Sequence, residues 1–219
     1  LHYLNLLKSI RQYGTERQDR TKVGTKALFA TDLRFDLTNN KIPLLTTKFV
    51  SWKTIFHELK WFLNGSADPE YLRTNKVKIW DKNIAKNGGV VGPIYPWQWR
   101  HAGAEYIDDL ITTRDGFDQI INMIDLIRTD PHSRRILLCN WNVKDVQKGC
   151  LPPCHILFQV YVEGDHISGL LNMRSADLAL GVPYNIVSYS MLLHMMAHVT
   201  RKKAKTLTLI MGDTHIYLN

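Results

Sequence analysis

Apolar side chains at Tyr3, Leu4, Leu7 and Ile10 recur at helical spacing over residues 2–13, and Gly14 supplies a stop. The chain is therefore expected to begin with a surface helix. From 50 to 63 a second helix places Val50, Ile55, Leu59 and Phe62 along one side. Gly65 suits its C-terminal cap, and Asp68-Pro69 reads as the N-cap and first position of another helix. Residues 117–128 carry a further amphipathic pattern, closed by Pro131. Segments 27–36, 135–141, 155–162, 166–173 and 205–211 read as strands, with Glu163-Gly164-Asp165 turning a hairpin between two of them. The apolar stretch 184–199, after Pro183, is too long for a strand and predicts a buried helix. Strands and helices interleave without a regular βαβ period, so the expected class is α+β around a large sheet.

Composition narrows the class without naming it. The 219 residues are 45% hydrophobic and 22% charged, which fits a globular chain and fits disorder, collagen or coiled coil poorly. No repeat, low-complexity tract or linker divides the sequence, so one domain over 1–219 is expected. No apolar run approaches the roughly 18 residues of a membrane span, and no signal-peptide pattern is visible after Leu1. A formal charge of +8 suits an anionic partner: nucleic acid, a membrane surface or a small phosphorylated ligand. Three cysteines form no disulfide framework, which points to a reducing, cytoplasmic setting, or a host's cytoplasm for a viral protein.

Arginine is the side chain best suited to grip a phosphate through paired donors. Arg20 lies in a polar loop before a strand, Arg134 and Arg135 follow Pro131-His132-Ser133, and Arg174 precedes Ser175 at a strand end. If 135–141 is a strand, one of Arg134 and Arg135 must point to a sheet face. The run Arg201-Lys202-Lys203-Ala204-Lys205 reads as a solvated loop between a helix and a strand.

Cys154, in Leu151-Pro152-Pro153-Cys154-His155, follows two prolines at the start of a strand, where a rigid backbone aims the thiol. Positive charge nearby would favour its thiolate. Cys139 and Cys150 read as inert core residues. Cys150 and Cys154 have no second cysteine pair at finger-like spacing, so no metal is expected. His194 and His198 share a helical face but lack the glutamate of a zincin helix and read as structural. In Leu180-Gly181-Val182-Pro183-Tyr184-Asn185, Asn185 reads either as a helix N-cap or as a reader of an edge presenting a carbonyl beside an N–H, as uracil does.

These pieces, taken in order, resemble the thymidylate synthase family from Tyr3 to Asn219. The resemblance is carried by Asp19-Arg20-Thr21, Pro43-Leu44-Leu45-Thr46-Thr47-Lys48, His57-Glu58-Leu59, Ile79-Trp80-Asp81, Gly92-Pro93-Ile94-Tyr95 and Ser133-Arg134-Arg135. It continues through Pro152-Pro153-Cys154-His155, Arg174-Ser175-Ala176-Asp177, Gly181-Val182-Pro183-Tyr184-Asn185 and Gly212-Asp213-Thr214-His215-Ile216-Tyr217.

The resemblance implies a large mixed sheet flanked by helices, and a sheet-to-sheet homodimer that binds dUMP and takes its one-carbon unit from 5,10-methylenetetrahydrofolate, a reduced folate cosubstrate. It implies no metal, no membrane and no nucleic-acid partner. Cys154 is implied as the nucleophile at uracil C6, Glu58 as organiser of water near C4, Tyr95 as helper in removing the C5 proton, and Asn185 as reader of the base. Arg20, Arg174 and Ser175 are implied on the phosphate, with Arg134 and Arg135 supplied across the dimer interface. His215 and Tyr217 are implied on the sugar hydroxyl and His155 on the substrate. Trp80, Asn83, Asp177, Leu180 and Gly181 are implied on the folate side.

Some positions depart from the family pattern. Lys22-Val23-Gly24-Thr25 follows the Asp-Arg-Thr motif where a more glycine-rich loop is usual. Met173 stands where Gln is usual, Pro96 where Gly is usual, and Asn83 where many bacterial members have Trp. The family also implies a C-terminal segment closing over the folate, which a sequence ending at Asn219 does not include. Met173 and that segment together raise a second reading, a dUMP 5-hydroxymethylase in which water replaces hydride. A third is an inactive RNA-binding homologue.

Overall fold

The computed structural model describes residues 2–18, 22–110 and 115–219. Helix α1 (His2–Tyr13) leads to the short strand β1 (Thr15–Arg17) and the long strand β2 (Thr25–Asp36). Five helices follow: α2 (Trp52–Asn64), α3 (Glu70–Thr74), α4 (Asp81–Lys86), α5 (Tyr95–His101) and α6 (Gln119–Thr129). Then come β3 (Leu137–Cys139), β4 (His155–Glu163), β5 (His166–Asp177), α7 (Val182–Val199) and β6 (Lys203–Tyr217). The strands form one six-stranded mixed sheet in the order β1-β2-β6-β5-β4-β3. This is the α+β class the pattern predicts.

The chain divides into two compact units, Leu1–Val50 with Val160–Asn219, and Ser51–Gln159. In the first unit β2 pairs antiparallel with β6 while β5 pairs parallel with β6. A parallel pair needs a crossover, and α7 supplies it between β5 and β6. Eleven of the residues of α7 are buried, including Ile186, Tyr189, Leu193 and Met196, as its apolar sequence requires. The helix begins at Val182, so Asn185 lies inside its first turn and Gly181 holds the cap position. The N-cap reading of Asn185 is thereby corrected.

A second correction concerns the basic run after α7. Strand β6 starts at Lys203, so only part of 201–205 is loop; Lys203 donates its backbone N–H to the Asp165 carbonyl, and Lys205 pairs with Glu163. These bonds tie the run to the β4–β5 turn, in which Gly164 has φ +55.

In the second unit, Ser51 caps α2 by accepting from the Thr54 N–H at 3.3 Å, and Gly65 ends it in the left-handed region at φ +75. A cap of this kind contributes about 1 kcal/mol. Pro69, not Asp68, holds the cap position of α3, although the Asp68 carboxylate still accepts from the Glu70 N–H at 2.9 Å. Helices α4 and α5 were not foreseen. Helix α5 is buried from Tyr95 through Trp99, with polar Gln98 among the buried residues, so it shows no amphipathic period. Pro96 sits in its first turn, where a missing N–H costs nothing, which accounts for that departure from the family.

Strand β3 is three residues long, and Arg134 and Arg135 lie in the turn before it. The Ser133 hydroxyl accepts the Arg135 N–H at 3.3 Å, which keeps the backbone turning instead of extending. Both arginines are exposed and precede the strand, so the strand alternation that would aim one of them at a sheet face does not reach them.

Candidate active site

Within the second unit the candidate residues converge on Tyr95. The backbone N–H of Cys154 donates to Tyr95 Oη at 2.8 Å, and the His155 ring stacks on the Tyr95 ring, 4.1 Å apart and 10° from parallel. Cys154 therefore sits at the entry to β4 on a backbone fixed both by two prolines and by a phenol. Segment 91–95 is braced from behind. The carboxylate of Asp109 accepts the N–H groups of Val91 and Gly92 at 2.7 and 2.9 Å, and Cys150 donates its N–H to the Val91 carbonyl at 2.8 Å. Gly92 has φ +80 and lies so close to the Lys148 carbonyl that a Cβ there would come within 2.4 Å of its oxygen.

Burial sets the electrostatics here. Desolvation lowers His155 from 6.5 to about 3, so its ring is neutral near pH 7. Its carbonyl accepts from buried Asn140, whose side-chain oxygen accepts from Trp99 Nε1. Desolvation also raises the Glu58 carboxyl on α2 from 4.5 to about 7, partly opposed by the Trp80 Nε1–H that donates to it at 2.7 Å. A carboxyl poised there can both hold and release a proton near neutrality. Trp80, 6% exposed, packs edge-on against Trp61, Phe62 and Tyr95, and Asn83 lies half-buried three residues on. Burial pushes the Cys150 thiol up to about 11, and Cys139 gives its S–H to the Trp141 carbonyl; neither resembles an activated nucleophile.

The first unit assembles the remaining described candidates at one end of β5 and β6. Register places Asp177 beside His215 and Ser175 beside Asp213. Arg174 is exposed, and Asp177 Oδ1 accepts the N–H groups of Ala179 and Leu180 at 3.1 and 2.9 Å, shaping the turn through Gly181 into α7. Leu180 presents an exposed apolar side chain beside that carboxylate. His215 is 8% exposed, with Nδ1 2.9 Å from Asp213 Oδ1 and its ring perpendicular to that of Tyr217. Asp213 Oδ2 in turn receives Arg17 Nη1 at 2.7 Å. Arg20 lies outside the described residues.

Asp213 and Arg17 were not singled out from the sequence. The signal was present in Asp213, His215 and Tyr217, which alternate along one strand and so share a face. Met173, the departure before Arg174, is a core residue only 4% exposed, paired in register with Met211. His194 bonds the Lys41 carbonyl through Nε2 at 2.8 Å, a structural contact. Among the described residues no group of three His, Cys, Asp or Glu side chains could hold a metal ion, and no helix is long and apolar enough to cross a membrane.

The thymidylate synthase family model matches residues 1–219. The chain belongs to the thymidylate synthase family. Among curated members, the thymidylate synthase of human herpesvirus 8 type P (isolate GK18) is 46% identical over 229 aligned residues, covering 99% of this chain and 68% of that protein. The varicella-zoster virus (strain Dumas) thymidylate synthase is 44% identical, covering 100% of this chain and 76% of its own. The Homo sapiens thymidylate synthase is 42% identical, covering 100% and 74%. Members of the family are enzymes that transfer a one-carbon unit, and the chain is an enzyme of that methyltransferase class.

Proposed function

We propose that residues 1–219 work as one catalytic domain that transfers a one-carbon unit from 5,10-methylenetetrahydrofolate to C5 of dUMP, giving dTMP and dihydrofolate. The observation that carries this reading is the held nucleophile: the Cys154 backbone bonded to Tyr95, in the unit where Glu58 is raised to about 7.

Uracil C5 is a weak nucleophile, and addition of the Cys154 thiolate at C6 converts it to an enolate that can attack the methylene carbon. Negative charge develops on O4, so a protonated Glu58 near that oxygen lowers the barrier by donating toward it. Loss of the C5 proton, aided by Tyr95, precedes elimination and departure of the thiolate. The folate supplies the carbon and the hydride. Asn185, in the first turn of α7, has both a donor and an acceptor for the uracil edge. Arg20, Arg174 and Ser175 hold the phosphate, His215 and Tyr217 the sugar hydroxyl. His155, neutral and stacked on Tyr95, steadies the phenol as well as meeting substrate. An apolar Leu180 beside the Asp177 carboxylate and Gly181 suits a folate ring with a hydrogen-bonding edge, and Trp80 and Asn83 serve the same ligand.

The active form on this reading is a homodimer in the cytoplasm. The exposed turn carrying Arg134 and Arg135 would then reach the phosphate held by the other subunit. Mixing Cys154→Ala and Arg135→Ala variants, each inactive alone, should restore activity, because one site of the mixed dimer is intact.

Incubation with dUMP and methylenetetrahydrofolate tests the activity, following dihydrofolate by absorbance and the nucleotide by mass. A dTMP mass with dihydrofolate supports the synthase. A 5-hydroxymethyl-dUMP mass without dihydrofolate would replace it by the hydroxymethylase, a reading that the synthase relatives do not favour. Nucleic-acid binding that survives Cys154→Ala, with no turnover in the parent chain, would replace both.

A further inference from the structure

The geometry points to Asp213 as the positioning residue that fixes which nitrogen of His215 is offered to the nucleotide sugar, an inference resting on the sugar-hydroxyl role read for His215. Nδ1 of His215 lies 2.9 Å from Asp213 Oδ1. A carboxylate only accepts, so in the neutral ring the proton belongs on Nδ1 and the lone pair on Nε2. Nε2 is then an acceptor for a hydroxyl proton, and a ligand without that hydroxyl gains nothing from it.

The carboxylate is itself held. Its second oxygen receives Arg17 Nη1 at 2.7 Å. Arg17 ends β1, whose register brings it beside Thr25 of β2, and Thr25 pairs with Tyr217 of β6. The sheet thus carries a chain from Arg17 through Asp213 to His215, with Tyr217 perpendicular to the imidazole on the same strand face. His215 is largely buried while Asp213 and Arg17 are progressively more exposed, so the histidine has little freedom to exchange partners. Replacing Asp213 by Asn keeps the shape but adds an NH2 that can donate to Nδ1, which draws the ring toward the opposite tautomer, with a proton instead of a lone pair on Nε2.

Nitrogen-15 NMR of His215 in the unmodified protein reads the tautomer directly, and binding of dUMP and of its 2′,3′-dideoxy analogue to Asp213→Asn reads the consequence. The expected results are an unprotonated Nε2 and a loss of dUMP affinity of about tenfold, with the dideoxy analogue unchanged. Arg17→Gln should show the same hydroxyl-selective loss at smaller size. An Nε2–H tautomer in the unmodified protein overturns the inference, as does an equal loss for both ligands in Asp213→Asn. If His215→Ala weakens both ligands alike, the sugar-hydroxyl role of His215 fails, while the NMR result still decides whether Asp213 sets the tautomer.

Discussion

Tyr95 Oη accepts a 2.8 Å hydrogen bond from the backbone N–H of Cys154, so the phenol holds the main chain of that cysteine while its ring carries the stacked His155. Fifty-nine residues separate the two partners. What brings them together is a buried helix that begins at Tyr95 and a strand that begins just after Cys154.

Tyr95→Phe keeps the ring and its stacking but removes the oxygen. The Cys154 N–H loses its acceptor and, on the proposed role of Tyr95, the C5 proton loses its helper, so kcat should fall by about 10²-fold or more with KM changed little. The loss of one part-buried hydrogen bond should cost about 1 kcal/mol in stability. Steady-state kinetics and urea denaturation of the same variant separate the two effects. A kcat within a factor of about two of the parent would remove Tyr95 from the chemistry.

The Trp80 Nε1–H bonded to Glu58 stabilises the charged carboxylate against the desolvation that raises it. Trp80→Phe removes that donor and should carry the Glu58 carboxyl further above about 7. The pH dependence of kcat/KM should then show the corresponding limb displaced to higher pH, by about one unit for a bond to a charged group. A limb that moves to lower pH, or stays, contradicts this role of the indole.

Much of the fold was legible because periodicity is a local signal. Helices 2–13 and 184–199 and the five predicted strands match the structure to within a few residues at their starts, although β5 and β6 run on past the predicted ends and β3 is shorter than predicted. Helix α5 was not legible, since Tyr95-Pro96-Trp97-Gln98-Trp99 is buried all round and leaves no polar face to mark a period. The segment at Arg134 and Arg135 misled for a different reason: a single hydroxyl from Ser133 outweighed strand-like composition. At the site, residue types in ordered motifs pointed to Cys154, Glu58 and His215. Their partners were harder to see, because the Glu58–Trp80 bond spans 22 residues and the Arg17–Asp213 bond spans 196. Contacts of that length are products of tertiary packing, which no window along the chain contains.

Glu58 and His155 should leave opposite marks on stability. The folded state keeps a proton on Glu58 between 4.5 and about 7 that the unfolded chain has lost, so stability falls as pH rises through that window. The folded state refuses His155 a proton between about 3 and 6.5 that the unfolded chain takes, so this group adds stability as pH rises there. The two contributions oppose one another between 4.5 and 6.5, and above that only Glu58 still acts. Glu58→Gln removes the carboxyl penalty and should gain about 2 kcal/mol relative to the parent on going from pH 5 to pH 8. Urea denaturation at the two pH values measures it, and a gain confined to pH 5 would reverse the assignment.

Gly88 and Gly92 offer a matched pair for testing how the backbone behind Tyr95 is held. Both have positive φ, +67 and +80, so alanine at either carries the left-handed penalty of about 1–2 kcal/mol. A Cβ at Gly88 meets nothing within 4 Å, whereas at Gly92 it would stand 2.4 Å from the Lys148 carbonyl oxygen and 2.8 Å from the Gly149 Cα. Backbone cannot swing aside as a flexible side chain can, so Gly92→Ala must displace either segment 91–95 or the loop that leads to Cys154. Gly88→Ala should therefore cost about 1 kcal/mol and leave turnover intact, while Gly92→Ala should cost about 3 kcal/mol or more and lower kcat. Equal stability losses in the two variants would show that the close approach at Gly92 is relieved without moving Tyr95.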